Sequence, residues 1–249
     1  MVRPTDAVYT LIGNAHLDRL GDRPGVFKAK TEMLGFMPDN GTVFLNADDD
    51  LLSTCICRQS KVLYGLSENA DVRAENIKTE SAAKQTCDII SGSRRMHVGI
   101  PAYGRHMVYA ALEGAAVGIK FGLSDDEIIR GIAAYKTVGR RANVIDTGYI
   151  TIIDDCYNAN PDSVKCAIDS MAEGGGRKVC ILGDMLEMGT ERAARHADIG
   201  RYAAQKGVEL LLCVGEMSKN TCRAADGIAA LHFDNNAQLI SQLPQLINK

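Results

Sequence analysis

The side chains best placed to do chemistry lie together in Asp154-Asp155-Cys156-Tyr157-Asn158-Ala159-Asn160-Pro161. The apolar run Tyr149–Ile153 before them reads as a buried strand, and the periodic run Pro161–Ala172 after them reads as a helix. Ligands of open α/β sheets bind just beyond the carboxyl ends of the strands. A pair of carboxylates, a phenol and two carboxamides at such a point suit a polar ligand. A plain capped helix start accounts for Asn160 and Pro161. It leaves the Asp pair, Tyr157 and Asn158 without a reason.

Six other polar segments sit at expected strand ends, helix starts or the domain boundary. His16, in Gly13-Asn14-Ala15-His16, can ligate a metal or contact a phosphate, or be an ordinary structural histidine. Lys30 lies beside an i,i+4 pair, Lys28 and Glu32, and is either a charge partner for phosphate or part of a solvated face. Asn46 precedes Asp48-Asp49-Asp50, three carboxylates that suit a metal or a ribose, or a helix N-cap and first turn. Gly104-Arg105-His106 opens a long helix, where backbone N–H groups favour anions, and Arg140-Arg141 offers bidentate phosphate recognition; ordinary surface charge is the alternative for both. Gly183–Gly189 is long for a plain turn and carries Asp184 and Glu187, which favours ligand contact.

The elements needed to position these groups alternate cleanly in the second half. Helix Pro161–Ala172, strand Lys178–Leu182, helix Glu191–Lys206, strand Glu209–Val214, helix Glu216–Ala225, strand Ala230–Phe233 and helix Asn236–Leu246 follow Tyr149–Ile153. That order predicts an α/β fold with a doubly wound parallel sheet. In the first half, strands are expected at Val8–Gly13 and Thr42–Asn46, and short ones at Lys61–Ser67, Asp71–Glu75, Asp88–Ser91 and Met96–Ile100. Helices are expected over Gly25–Phe36 and Gly104–Gly122, with a capping box at Ser124–Glu127 opening another that runs to Tyr135. The natural boundary lies in Gly139–Asp146.

Hydrophobic residues form 46% of the 249, enough for a substantial core, and the net charge of −3 argues against nucleic-acid or anionic-membrane binding as the main business. No apolar run is long enough to span a bilayer, no signal-peptide pattern opens the chain, and a cytoplasmic monomer is expected. The eight cysteines show no CxxC or zinc spacing; Cys180 and Cys213, inside apolar runs, read as small buried hydrophobes. Neither GxxxxGK[ST] nor GxGxxG occurs. The alternation calls for a strand after the last helix, so part of a longer chain is expected.

Ile12–Leu17, Lys28–Glu32, Leu45–Asp49, Gly104–His106, Asp154–Pro161 and Leu182–Gly189 occur in that order, and together they resemble the Mur ligases. The resemblance covers nearly the whole chain. It implies the latter part of a central ATP-binding domain over 1–142 and an incomplete C-terminal Rossmann-like domain over 143–249. It also implies an ATP- and Mg2+-dependent amide ligase that uses UDP-N-acetylmuramoyl-tripeptide and D-alanyl-D-alanine in peptidoglycan synthesis, through an acyl phosphate. By the same resemblance His16 ligates magnesium, and Lys30, once carbamylated, is its anionic neighbour. Arg141 or Arg140 reaches the ATP phosphates, and Asn46 and His106 belong to the nucleotide site. Asp155 holds the ribose, Tyr157, Asn158 and Asn160 complete that loop, and Asp184 and Glu187 hold the dipeptide amine. Two positions depart from the family pattern: Met107 stands where Asn usually contacts adenine, and Asn14 where Pro is common. With no phosphate loop in these residues, the isolated chain is expected to lack ligase activity. A non-catalytic nucleotide- or dipeptide-binding module is the alternative, and a folyl-polyglutamate-type ligase a third that Tyr157–Pro161 argues against.

Overall fold

The structure, a computed structural model, describes residues 3–14, 17–81, 84–102, 104–137 and 139–247. The fold is mixed α/β with parallel sheets and divides into two compact units. The first comprises Met1–Gly13 and Leu20–Asp154, the second Asn14–Arg19 and Asp155–Lys249. The boundary expected at 142/143 lies earlier in the chain than this division.

The first unit holds a six-stranded sheet of β1 (Asp6–Tyr9), β2 (Thr42–Asn46), β3 (Ser60–Gly65), β4 (Val72–Ser81), β5 (Lys84–Ser91) and β6 (Arg94–Ile100), in that spatial order. Strands β1 to β4 run parallel, while β4, β5 and β6 form an antiparallel meander. Between β1 and β2 lie a short α1 (Leu17–Leu20) and α2 (Arg23–Thr31). After the meander come α3 (His106–Lys120) and α4 (Asp125–Ala133). Val108, Leu112, Ala115 and Ala116 of α3 cover Phe44, Tyr64, Cys87, Ile89 and Val98 of the sheet, and Ile128 of α4 joins them. Both partners of the expected capping box are in place: Ser124 N–H donates to Glu127 at 2.8 Å, and Glu127 N–H donates to Ser124 Oγ at 3.4 Å.

Three local expectations for this unit change. The first strand is Asp6–Tyr9, not Val8–Gly13, because the partner β2 ends at Asn46 and side chains take over the carbonyls beyond Tyr9. The helix expected over Gly25–Phe36 is α2 followed by a 3-10 turn, Glu32–Phe36. Thr31 Oγ1 donates back to Phe27 O at 2.7 Å, a bond that bends helices at such positions. The short strands of the meander are longer than the apolar residues alone suggest, because their outer faces carry charged ladders such as Arg95 to Glu75 and Asp88.

The last pair of strands in this unit, β7 (Asn143–Asp146) and β8 (Thr151–Asp154), forms an antiparallel ribbon around a turn at 147–150. This corrects the reading of Tyr149–Ile153 as a buried strand of the parallel sheet: Tyr149 is 51% and Ile152 40% exposed. A short apolar run marks a strand but does not identify its partner.

The second unit is the doubly wound part. Its sheet, in the order β11 (Ala229–Phe233), β10 (Leu210–Val214), β9 (Val179–Leu182), is entirely parallel. The helices are α5 (Pro161–Glu173), α6 (Arg192–Gln205), α7 (Ser218–Arg223) and α8 (Asn236–Leu246). Alternating residues of β10 serve opposite faces: Leu211 and Cys213 pack with Ile168, Ile199 and Ala203, whereas Leu210 and Leu212 pack with Leu239. Cys180 and Cys213 are buried as expected, and burial pushes the Cys180 thiol up to about 12. Among the described residues no helix is long and apolar enough to cross a membrane.

Candidate functional site

In the first unit the segment leaving β1 is held at every carbonyl by a different side chain. Tyr64 Oη lies 2.8 Å from Tyr9 O, Asn46 Nδ2 donates to Thr10 O at 3.0 Å, and Lys30 Nζ to Leu11 O at 2.8 Å. Arg23 Nε donates to Ile12 O at 2.8 Å, and Ile12 N–H donates to the buried carboxylate of Asp49 at 2.8 Å. Two residues expected in the site, Lys30 and Asn46, therefore meet on one segment, the one that leads into Gly13 and Asn14. His16 lies outside the described residues.

The Asp48-Asp49-Asp50 run, open between ligand contact and capping, is engaged within the protein. Asp49 also accepts the N–H groups of Leu51 at 3.0 Å and Leu52 at 2.9 Å, and Asp50 takes both terminal nitrogens of Arg23. Asp48 accepts from Leu66 N–H at 2.5 Å, Ser67 N–H at 3.1 Å and Tyr109 Oη at 2.9 Å. Burial pulls its carboxyl upward, but those bonds outweigh it, and the carboxyl lies below its ordinary value. Asn46 Oδ1 accepts Asp48 N–H at 2.9 Å, so both ends of that carboxamide are in use.

His106, exposed, is the first residue of α3. The turn before it is fixed from below by Gln85, 3% exposed, whose Nε2 donates to Ala102 O at 3.2 Å and Gly104 O at 2.8 Å. Met107 is half-buried and lines an apolar cavity of about 280 Å³ between α3 and α4. Arg140 and Arg141 are both exposed, and Arg140 Nε is 4.0 Å from Asp154 Oδ2.

In the second unit, Asp155, Tyr157, Asn158 and Asn160 share the loop that opens α5. Asn160 is its N-cap: Oδ1 accepts Ser163 N–H at 2.9 Å and Asn160 N–H donates to Ser163 Oγ at 3.1 Å. Tyr157 is 67% exposed, and Asn158 is exposed beside it. At the carboxyl ends of β9 and β10, Asp184 Oδ1 accepts Ser218 N–H at 2.8 Å. Glu187, exposed in the same loop, has φ +58, a conformation that side chains other than glycine seldom adopt. Arg23, Gln85, Ser218 and the buried His196 carry much of this positioning and left no mark in the sequence, because a buried polar residue and a surface one look alike in it.

Polar groups gathered at the carboxyl ends of parallel strands define a ligand-binding α/β protein. A model of the Mur ligase middle domain matches residues 1–118, and one of the Mur ligase glutamate ligase domain matches residues 140–249; the chain belongs to the Mur ligases. It is 34% identical over 253 residues to the UDP-N-acetylmuramoyl-tripeptide–D-alanyl-D-alanine ligase of Escherichia coli, which covers 99% of this chain and 55% of that protein. To the enzyme of the same name from Bacillus subtilis it is 30% identical, over 95% of this chain and 50% of that one. The chain thus spans about half the length of the curated relatives it matches. MurF from Acinetobacter baumannii superposes with a TM-score of 0.90 at 26% identity, over 98% of this chain and 54% of that one. The MurF ligase of Thermotoga maritima, solved in complex with ADP, shares the fold at 21% identity and a TM-score of 0.86, over 99% of this chain and 56% of that one.

Proposed function

We propose that this chain is part of a cytoplasmic, ATP-dependent peptide ligase that joins D-alanyl-D-alanine to UDP-N-acetylmuramoyl-tripeptide in peptidoglycan synthesis. The observation that carries this reading is the 34% identity, across 99% of the chain, to an enzyme named for that reaction. In this reading residues 1–142 are the latter part of the central ATP-binding domain and 143–249 most of the C-terminal domain. ATP activates the terminal carboxylate of the tripeptide as an acyl phosphate, and the dipeptide amine displaces phosphate from it.

The residues present fit a nucleotide. Asp155 is a half-buried carboxylate suited to ribose hydroxyls, and Tyr157, Asn158 and Asn160 follow it in the same loop. Arg141 and Arg140 are exposed guanidinium groups of the kind that clamp phosphates, and His106 belongs to the nucleotide side, while Asn46, with both ends of its carboxamide engaged, serves that side by fixing the segment after β1. Asp184 and Glu187 accept hydrogen bonds from the dipeptide amine and hold it for attack. A magnesium ion does not fit the described residues as they stand. Lys30 is a hydrogen-bond donor to Leu11 O, an ammonium has no lone pair to give, and no group of three metal-ligating side chains occurs among the described residues. Carbamylation of Lys30 would supply the oxygen donor, with His16 as the second ligand.

The test is phosphate release from ATP with both substrates present and with each omitted in turn. In the whole enzyme, release should require both; release that ignores the dipeptide would overturn the assignment. The 249-residue chain alone should bind without turning over, since the loop that stabilises a transferring phosphoryl group is not among its residues.

A further inference from the structure

We propose that His196 is a positioning residue for the loop Gly183–Gly189, holding Asp184 and Glu187 where the dipeptide is bound; this rests on the placement of the dipeptide given above. His196 lies in α6 and is 0% exposed. Its Nδ1 is 2.7 Å from Arg192 O, one turn earlier in the same helix, so Nδ1 carries a proton and donates it there. Nε2 is therefore an acceptor, and it receives Met185 N–H at 2.9 Å. This bond joins the middle of the loop to a rigid helix at the residue directly after Asp184.

The loop needs such an anchor. It leaves β9 at Leu182 and makes no strand pairing of its own. Met185 and Met188 are buried in the core beneath it, whereas Leu186 is 70% exposed and Glu187 has φ +58. Two apolar side chains fix the depth of the loop but not its direction, because methionine packing is adaptable. The histidine bond is directional. It sets the peptide plane between Asp184 and Met185, and so the line along which the Asp184 carboxylate reaches Ser218 N–H. An imidazole with both nitrogens committed inside the protein cannot also touch a ligand, so His196 acts through the loop and not on the reacting atoms.

Two conservative variants separate this role from simple packing. In His196→Asn the carboxamide reaches the Nδ1 side only, keeping a donor for Arg192 O and losing the acceptor for Met185. In His196→Gln the side-chain carbonyl reaches the Nε2 side and restores that acceptor. Amide exchange by NMR and D-alanyl-D-alanine titration should be measured on both, alongside the unaltered chain. The Asn variant should speed exchange of the Met185 amide and weaken dipeptide binding, each about tenfold, the change that corresponds to one ordinary hydrogen bond. Exchange in β10 should stay unchanged, and the Gln variant should return both readouts toward their original values. Unaltered Met185 exchange in the Asn variant, or a loosened loop with undiminished dipeptide affinity, would overturn the proposal. Should the unaltered chain bind no dipeptide, the assignment of this loop to the dipeptide falls, while Met185 exchange in the two variants still reports whether the clamp exists.

Discussion

A Cβ atom at Gly215 would lie 2.6 Å from Oδ1 of Asp184. Gly215 directly follows β10 and Asp184 lies just beyond the neighbouring β9, so the carboxylate occupies the space a side chain would fill. The first unit repeats the arrangement: a Cβ at Gly65, the end of β3, would lie 2.7 Å from Oδ2 of Asp48, which follows the neighbouring β2. In each case the carboxylate accepts backbone N–H groups from the chain leaving the glycine strand. Gly215 also has φ +113, outside the range of ordinary L-residues. Gly215→Ala should therefore destabilise the protein by about 1–3 kcal/mol and displace Asp184 from Ser218. Urea unfolding and the NMR shift of the Ser218 amide would show both; a stable variant with Ser218 unmoved would contradict the argument.

Asp49 holds three backbone donors, from Ile12, Leu51 and Leu52, while 3% exposed. Asp49→Ala strands all three in a buried site. The expected loss is roughly 3 kcal/mol or more, since each buried donor without a partner costs about 1–3 kcal/mol. Amide exchange of Ile12 should rise with it, because Ile12 has its N–H on Asp49 and its carbonyl on Arg23. A loss under about 0.5 kcal/mol, typical of an ordinary surface substitution, would show that water replaces the carboxylate without penalty.

Much of this architecture was legible. The parallel order of the second unit follows from the alternation of apolar runs and helices closed by glycine, and the Asn160 and Ser124 caps follow from local chemistry that needs no tertiary information. The partner of Thr151–Asp154 was not legible, because a short apolar run looks the same in an exposed ribbon and in a buried sheet. Lys30, Asn46 and Asp49 show the same limit at the candidate site. Their types suggested ligand contact, yet in the structure they bind the backbone of Thr10, Leu11 and Ile12. A side chain that fixes a binding loop and one that touches the ligand draw on the same residue types; only the fold shows which atoms they meet.

Two carboxyls of the first unit, Glu113 and Asp48, lie on opposite sides of the ordinary carboxylate range. Burial raises the Glu113 carboxyl, only partly offset by Tyr64 Oη at 2.8 Å. A raised folded value gives stability that is complete below the unfolded value, near about 4.3, and is lost as pH rises through the folded one. Asp48 is depressed, so its contribution is present above about 3.9 and is lost as pH falls through its folded value. Glu113→Gln should gain stability relative to the unaltered protein as pH rises from about 4 toward neutrality, because its carboxamide cannot ionise. Asp48→Asn should instead flatten the acid limb. Chemical denaturation across that range tests both, and a Glu113→Gln difference that shrinks with rising pH would reverse the assigned sign.

Met107 follows Gly104-Arg105-His106, where the resemblance places an Asn against adenine. In the structure its side chain is half-buried against the sheet core and lines the cavity between α3 and α4. A thioether cannot offer the paired donor and acceptor with which a carboxamide reads adenine. Met107→Asn should tighten ADP binding about tenfold, one good hydrogen bond's worth. The same change should cost about 1–3 kcal/mol of stability, because an amide replaces apolar contact in a half-buried position. Titration calorimetry with ADP and with a guanine nucleotide separates the two effects. A gain for ADP alone assigns adenine to this end of α3, whereas equal or weaker binding of both would place the base elsewhere.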